Sequence, residues 1–72
     1  MVKYFKSLEE DYFSKIEEGT IMDIGFPIEE DCYIIVTTEY EDEDYTKYLE
    51  ESTKEEFEEA YDKALKIIKE NK

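Results

Sequence analysis

The C-terminal stretch "STKEEFEEAYDKALKIIKE" constrains the fold more than any other part of the chain. Phe57, Ala60, Tyr61, Ala64, Leu65 and Ile68 fall at i, i+3, i+4, i+7, i+8 and i+11, one continuous apolar stripe on one side of a helix. Ser52 or Thr53 can cap it, with Glu55 or Glu56 completing a capping box. Such a helix needs a surface to cover. "CYIIVTTEY", from Cys32, is β-branched and aromatic almost throughout and is the clearest strand. Met22, Ile24 and Phe26 alternate with Ile21, Asp23 and Gly25 in a second strand, which Gly25 and Pro27 interrupt. "DYTKYLE" is a weaker third, with Tyr45, Lys47 and Leu49 alternating against Thr46 and Tyr48.

"SLEEDYFSKIEEG" reads as another helix. Ser7 and Glu10 have capping-box spacing, Leu8, Tyr12 and Ile16 recur near helical spacing with Phe13 at the stripe's edge, and Gly19 sits where a helix ends in a left-handed residue. The spacing predicts a helix over residues 8–18. The expected fold is therefore a single α+β domain over residues 1–72, in the order α-β-β-β-α. It consists of a three-stranded antiparallel sheet flanked by two helices, both on one face. The far face is left uncovered. Cys32, Ile34 and Val36 fall on one side of the middle strand and Tyr33 and Ile35 on the other. That apolar surplus points to a dimer or a partner that uses the sheet.

A chain of 72 residues buries a thin core. Its 40% hydrophobic and 15% aromatic content is nevertheless too high for a disordered acidic tail. Charge is the outlier: 22 acids against nine cations, all lysine, give −13, with no arginine and no histidine. Nucleic acid and anionic membrane are poor direct partners for such a surface, and a basic protein is its complement. The N-terminus lacks the apolar run of a signal peptide, no stretch approaches a membrane span, and the single Cys32 excludes an internal disulfide. The expectation is a soluble, cytoplasmic protein.

Readings that require a reaction or an ion fare poorly. "EYEDEDYTKY" packs Glu39, Glu41, Asp42, Glu43 and Asp44 into six positions, but glycine and glutamate are missing where a calcium loop needs them. No metal or cofactor is expected. Cys32 has no histidine to activate it and sits in a strand, so it is expected to be structural. No glycine-rich phosphate loop is present, and acids scattered over a surface do not make a catalytic pair. The chain is expected not to be an enzyme. The order α-β-β-β-α is that of the double-stranded RNA-binding domain, but "STKEEFEE" reverses the lysine-rich start of that fold's second helix.

Within the C-terminal helix, acids in the first half and lysines in the second suit the helix dipole. Glu59 with Lys63 and Asp62 with Lys66 are favourable i, i+4 pairs, whereas Glu55 with Glu59 and Glu58 with Asp62 are repulsive ones. A row of carboxylates four residues apart rises about 6 Å per step, which can track alternate phosphates of a DNA strand. On "EYEDED" and "EESTKEEFEEAYD" the chain resembles the small acidic inhibitors of anti-CRISPR and anti-restriction type that imitate DNA. The likeness lies in size, charge and element order, without a shared motif. It implies a non-enzymatic protein, of phage origin in that class, that occupies the basic groove of a nucleic-acid-handling enzyme or effector. The contact set expected for that role is Glu41, Asp42, Glu43, Asp44, Glu55, Glu58, Glu59 and Asp62, with Tyr40, Tyr45 and Tyr48 adding amphipathic area. The alternatives are an immunity protein or antitoxin plugging a basic toxin site, and an assembly subunit or homodimer pairing through the sheet face.

Overall fold

In the computed structural model, which describes residues 2–28, 30–38 and 49–70, five strands precede a single helix. They are β1 (Val2–Lys6), β2 (Tyr12–Glu17), β3 (Thr20–Ile28), β4 (Asp31–Thr37), β5 (Glu50–Glu51) and α1 (Lys54–Glu70). The sheet order is β4-β3-β2-β1-β5 and every described pairing is antiparallel. This overturns the expected α-β-β-β-α order and three-stranded sheet.

The correction lies in the first 19 residues. "VKYFK" is a strand, and the segment expected to be helical is a tight loop followed by β2. Tyr12 and Ile16, four apart, share a sheet face as readily as a helix face, so that spacing does not discriminate. The Ser7 hydroxyl does bind backbone, accepting from the Asp11 N–H at 3.2 Å, but the Ser7 N–H reaches the Tyr12 carbonyl and closes a hairpin loop. Glu10 takes φ +57° there, and Leu8 is exposed at the tip. Gly19 is left-handed as expected, at φ +80°, but Glu18 is also positive at +40°. With Glu17 paired to Thr20, these two residues form the two-residue hairpin turn whose twist matches its strands. Gly19 thus joins two strands rather than ending a helix.

The remaining elements follow the sequence more closely. Residues 20–28 and 31–37 are strands, with a register irregularity between Gly25 and Ile28 where a break was expected. Of the "DYTKYLE" strand, Asp44, Tyr45, Thr46, Lys47 and Tyr48 lie outside the described residues; Glu50 and Glu51 pair with Lys6 and Phe5. Helix α1 is capped by Thr53, whose Oγ1 accepts from the Glu56 N–H at 3.1 Å.

Residues directly opposite in a sheet share a face. The register therefore aligns Lys6, Phe13, Ile24 and Ile34 in one row and Tyr4, Lys15, Met22 and Val36 in the next, on the face beneath α1. Phe13, Ile24, Phe57, Ala60 and Ala64 form the core, and Ile24 and Ala64 are wholly inaccessible. Two alanines on the helix allow it to approach the sheet closely. The helix crosses the strands. Phe57 packs on Tyr4 of β1 (ring centroids 5.7 Å apart), while the Ala64 carbonyl accepts from the Cys32 thiol of β4 at 3.3 Å. The opposite face carries Phe5, Ser14, Asp23 and Ile35 in one row, and Tyr12, Gly25 and Tyr33 in another. No described helix covers that face, although Ser14, bonded to Asp23 at 3.0 Å, and Ile21 are buried on it.

Candidate functional site

The acidic surface of α1 follows from its cap and its stripe. Because Phe57, Ala60 and Ala64 point into the sheet, residues about half a turn away must point to solvent. Glu55, Glu58, Glu59 and Asp62 are all exposed and fall within about 100° of one another on that outer side. Of the expected contact set, these four are brought together. Tyr40, Glu41, Asp42, Glu43, Asp44, Tyr45 and Tyr48 lie outside the described residues.

Neither favourable i, i+4 pair is closed among the described residues. Their ion pairs within 4 Å are Lys6 with Glu10, Glu50 and Glu56, and Lys15 with Glu17. Lys63 makes no ion pair with Glu59 within 4 Å, and its Nζ lies 4.8 Å from the centroid of the Phe26 ring. It closes one side of a shallow groove of about 220 Å³ lined by Glu10, Phe13, Phe26, Glu56, Glu59, Ala60 and Lys63. The outer carboxylates are left without the lysines that the sequence pairs them with.

Glu56 behaves differently from its acidic neighbours. Its carboxylate accepts from Lys6 Nζ at 2.7 Å and from the Ser52 hydroxyl at 3.0 Å. Lys6 also reaches Glu10 at 3.1 Å. The Lys6 hydrogen bond, with help from Ser52, holds the Glu56 carboxyl below its ordinary range, and the bonds to Glu56 and Glu10 push the Lys6 ammonium well above its own. This cluster ties β1, the first hairpin loop, β5 and the helix start to one cation. Sequence reasoning missed it because Lys6 was not placed on a strand. The available signal was "VKYFK" itself, in which Val2, Tyr4 and Phe5 favour a strand.

Cys32 is half-buried, and burial first, then Asp31, pushes its thiol up. With the sulfur also donating to the Ala64 carbonyl, this is the setting of an unreactive thiol. Among the described residues no three His, Cys, Asp or Glu side chains converge on a metal position, and no helix is long and apolar enough to cross a membrane. Comparison with protein-family models, curated proteins and solved structures gives no match in any of the three.

Proposed function

We propose that the chain is a non-enzymatic acidic binding protein. Its outer helix face, Glu55, Glu58, Glu59 and Asp62, docks in the basic groove of a nucleic-acid-handling protein and takes the place of a phosphate backbone. The observation that carries this reading is the segregation of acids on α1. Glu56 is neutralised inward by Lys6, while the other four share one exposed side without an ion pair among the described residues. From Glu55 to Asp62 the helix rises about 10 Å, the axial length of roughly three phosphates on one DNA strand. A partner that replaced their hydration with guanidinium or ammonium groups would gain charge-assisted bonds, and the net −13 would speed its approach.

The test is capture of the partner from the native host, followed by competition between this protein and DNA for that partner. Glu58→Lys, Glu59→Lys and Asp62→Lys together should abolish competition with the circular dichroism unchanged, and binding should weaken steeply with salt. A captured protein that DNA does not displace, or a triple variant that competes normally, refutes the reading. A second reading, assembly through the open sheet face, is favoured by the exposure of Tyr33 and Ile35 there. It predicts that changes at those two residues, and not the charge reversals, abolish binding.

A further inference from the structure

Among the described residues the sheet ends on β4, and nothing among them blunts that edge. Natural sheets protect such edges with very short strands, lysine, proline or bulges. At the opposite edge β5 does so, with two residues, both glutamate. β4 is seven residues long, and from Cys32 to Thr38 it contains no charge, proline or glycine. The Cys32 N–H is donated to the Asp31 carboxylate at 2.9 Å, so it turns away from β3. By the alternation of an antiparallel strand, the N–H and C=O groups of Cys32, Ile34 and Val36 face outward from the sheet.

Helix α1 extends past this edge. Ala64 already stands over Cys32. The six residues that follow, to Glu70, add about 9 Å of helix, nearly two strand spacings of about 4.8 Å. The exposed apolar side chains Leu65 (44%) and Ile68 (41%) lie in that overhang. Val36 (54%) is bare on the same face of the sheet, and Tyr33 (40%) and Ile35 (51%) on the other. Five of the eight large exposed hydrophobics among the described residues thus gather at one edge, on both of its faces.

We propose that the chain forms a two-fold dimer by antiparallel pairing of β4 with β4 of a second copy, centred on Ile34. In that register Ile34 opposes its own counterpart, Cys32 opposes Val36, Tyr33 opposes Ile35 and Asp31 opposes Thr37. No carboxylate within the strand opposes another, an aromatic meets a β-branched residue, and the outward N–H groups of Ile34 and Val36 find carbonyls, as does that of Cys32 once it leaves the Asp31 carboxylate. A two-fold axis normal to the sheet keeps both helices on one side. Each overhang then lies over the other copy's β4, where Val36 is otherwise uncovered. The occupant is a second copy because this register sets no like charges opposite one another and brings each uncovered Val36 beneath the other copy's overhang. It also uses the overhang twice, once from each chain.

Sedimentation velocity of the full chain at low and high salt tests this. A species of twice the 8.7 kDa chain mass is expected. Its share should rise with salt, because each copy brings −13. Val36→Lys, which blunts the edge, and Leu65→Glu with Ile68→Glu, which charges the overhang, should each weaken dimerisation at least tenfold. Both alter exposed positions, so the circular dichroism of the monomer should be kept. Val36→Cys would place a thiol opposite Cys32 at about 5.5 Å between Cα atoms, within disulfide reach. Oxidised glutathione should then yield a covalent dimer that Cys32→Ser abolishes. A chain that stays monomeric at both salt concentrations overturns the proposal. So does a dimer indifferent to Val36→Lys that forms no such cross-link.

Discussion

Gly25 and Tyr33 sit opposite one another on the open face, and the tyrosine ring occupies the space a side chain at residue 25 would fill. A Cβ added to Gly25 would run into Cζ, Cε2 and Oη of Tyr33. The glycine does not have a positive φ, so alanine suits the backbone, and the three atoms nearest the added Cβ all belong to that ring. Gly25→Ala should therefore force Tyr33 off its position, at an overpacking cost of about 1–3 kcal/mol. The removal of glycine's unfolded-state freedom offsets this by about 0.4–1 kcal/mol. The net expectation is a loss of up to about 2.6 kcal/mol, toward the low end because the atoms in the way are the far end of an exposed ring, against the roughly 4–11 kcal/mol expected for a domain this long. The diagnostic step is the second background. In Tyr33→Ala the obstacle is gone, and the same Gly25→Ala change should become stabilising by about 0.4–1 kcal/mol. Urea unfolding of the four proteins at one concentration measures both steps and gives the coupling directly. If Gly25→Ala costs the same in both backgrounds, the glycine is needed for its backbone and the ring contact is incidental.

Two other expectations follow from single features. Gly19→Ala places a Cβ at φ +80° in the β2–β3 turn and should cost about 1–2 kcal/mol in urea unfolding; no loss would mean that the turn relaxes to another type. The pH dependence of stability should show two opposed effects. From neutral pH down to about 4.5, partial neutralisation of the −13 charge should raise stability. Below that, Glu56 stays ionised in the folded chain after its unfolded counterpart has protonated, so its contribution disappears as pH falls through the depressed value. Lys6 has the opposite sign: its contribution is complete below about 10.5 and is lost as pH rises through the elevated value. Lys6→Met should flatten the acid limb of a thermal-melt series, and an unchanged limb would refute the assigned cause.

The amino-acid sequence alone was enough for α1, β3 and β4. Each is long for its type, strongly patterned and consistent with its local propensities, so tertiary contacts had nothing to overrule. The left-handed Gly19 was legible for the same reason, since only its φ was at issue. Which elements Gly19 joins was not legible. Tyr12 and Ile16 satisfy helical and strand periods alike, and Ser7 with Glu10 fits a loop as well as a cap. Pairing decided between them: as strands, β1 and β2 extend the sheet on which α1 buries Phe57, Ala60 and Ala64, with Phe13 in the same core. The candidate site divides in the same way. The outer side of α1 could be read from helical period, because burial of one side exposes the other. The withdrawal of Glu56 to Lys6 depends on residues 50 positions apart. Leu65 and Ile68, both expected in the buried stripe, are exposed because they lie past Ala64, the last buried residue of the helix. Sequence period specifies the direction in which a side chain points, whereas the extent of the neighbouring layer determines whether anything lies there to cover it.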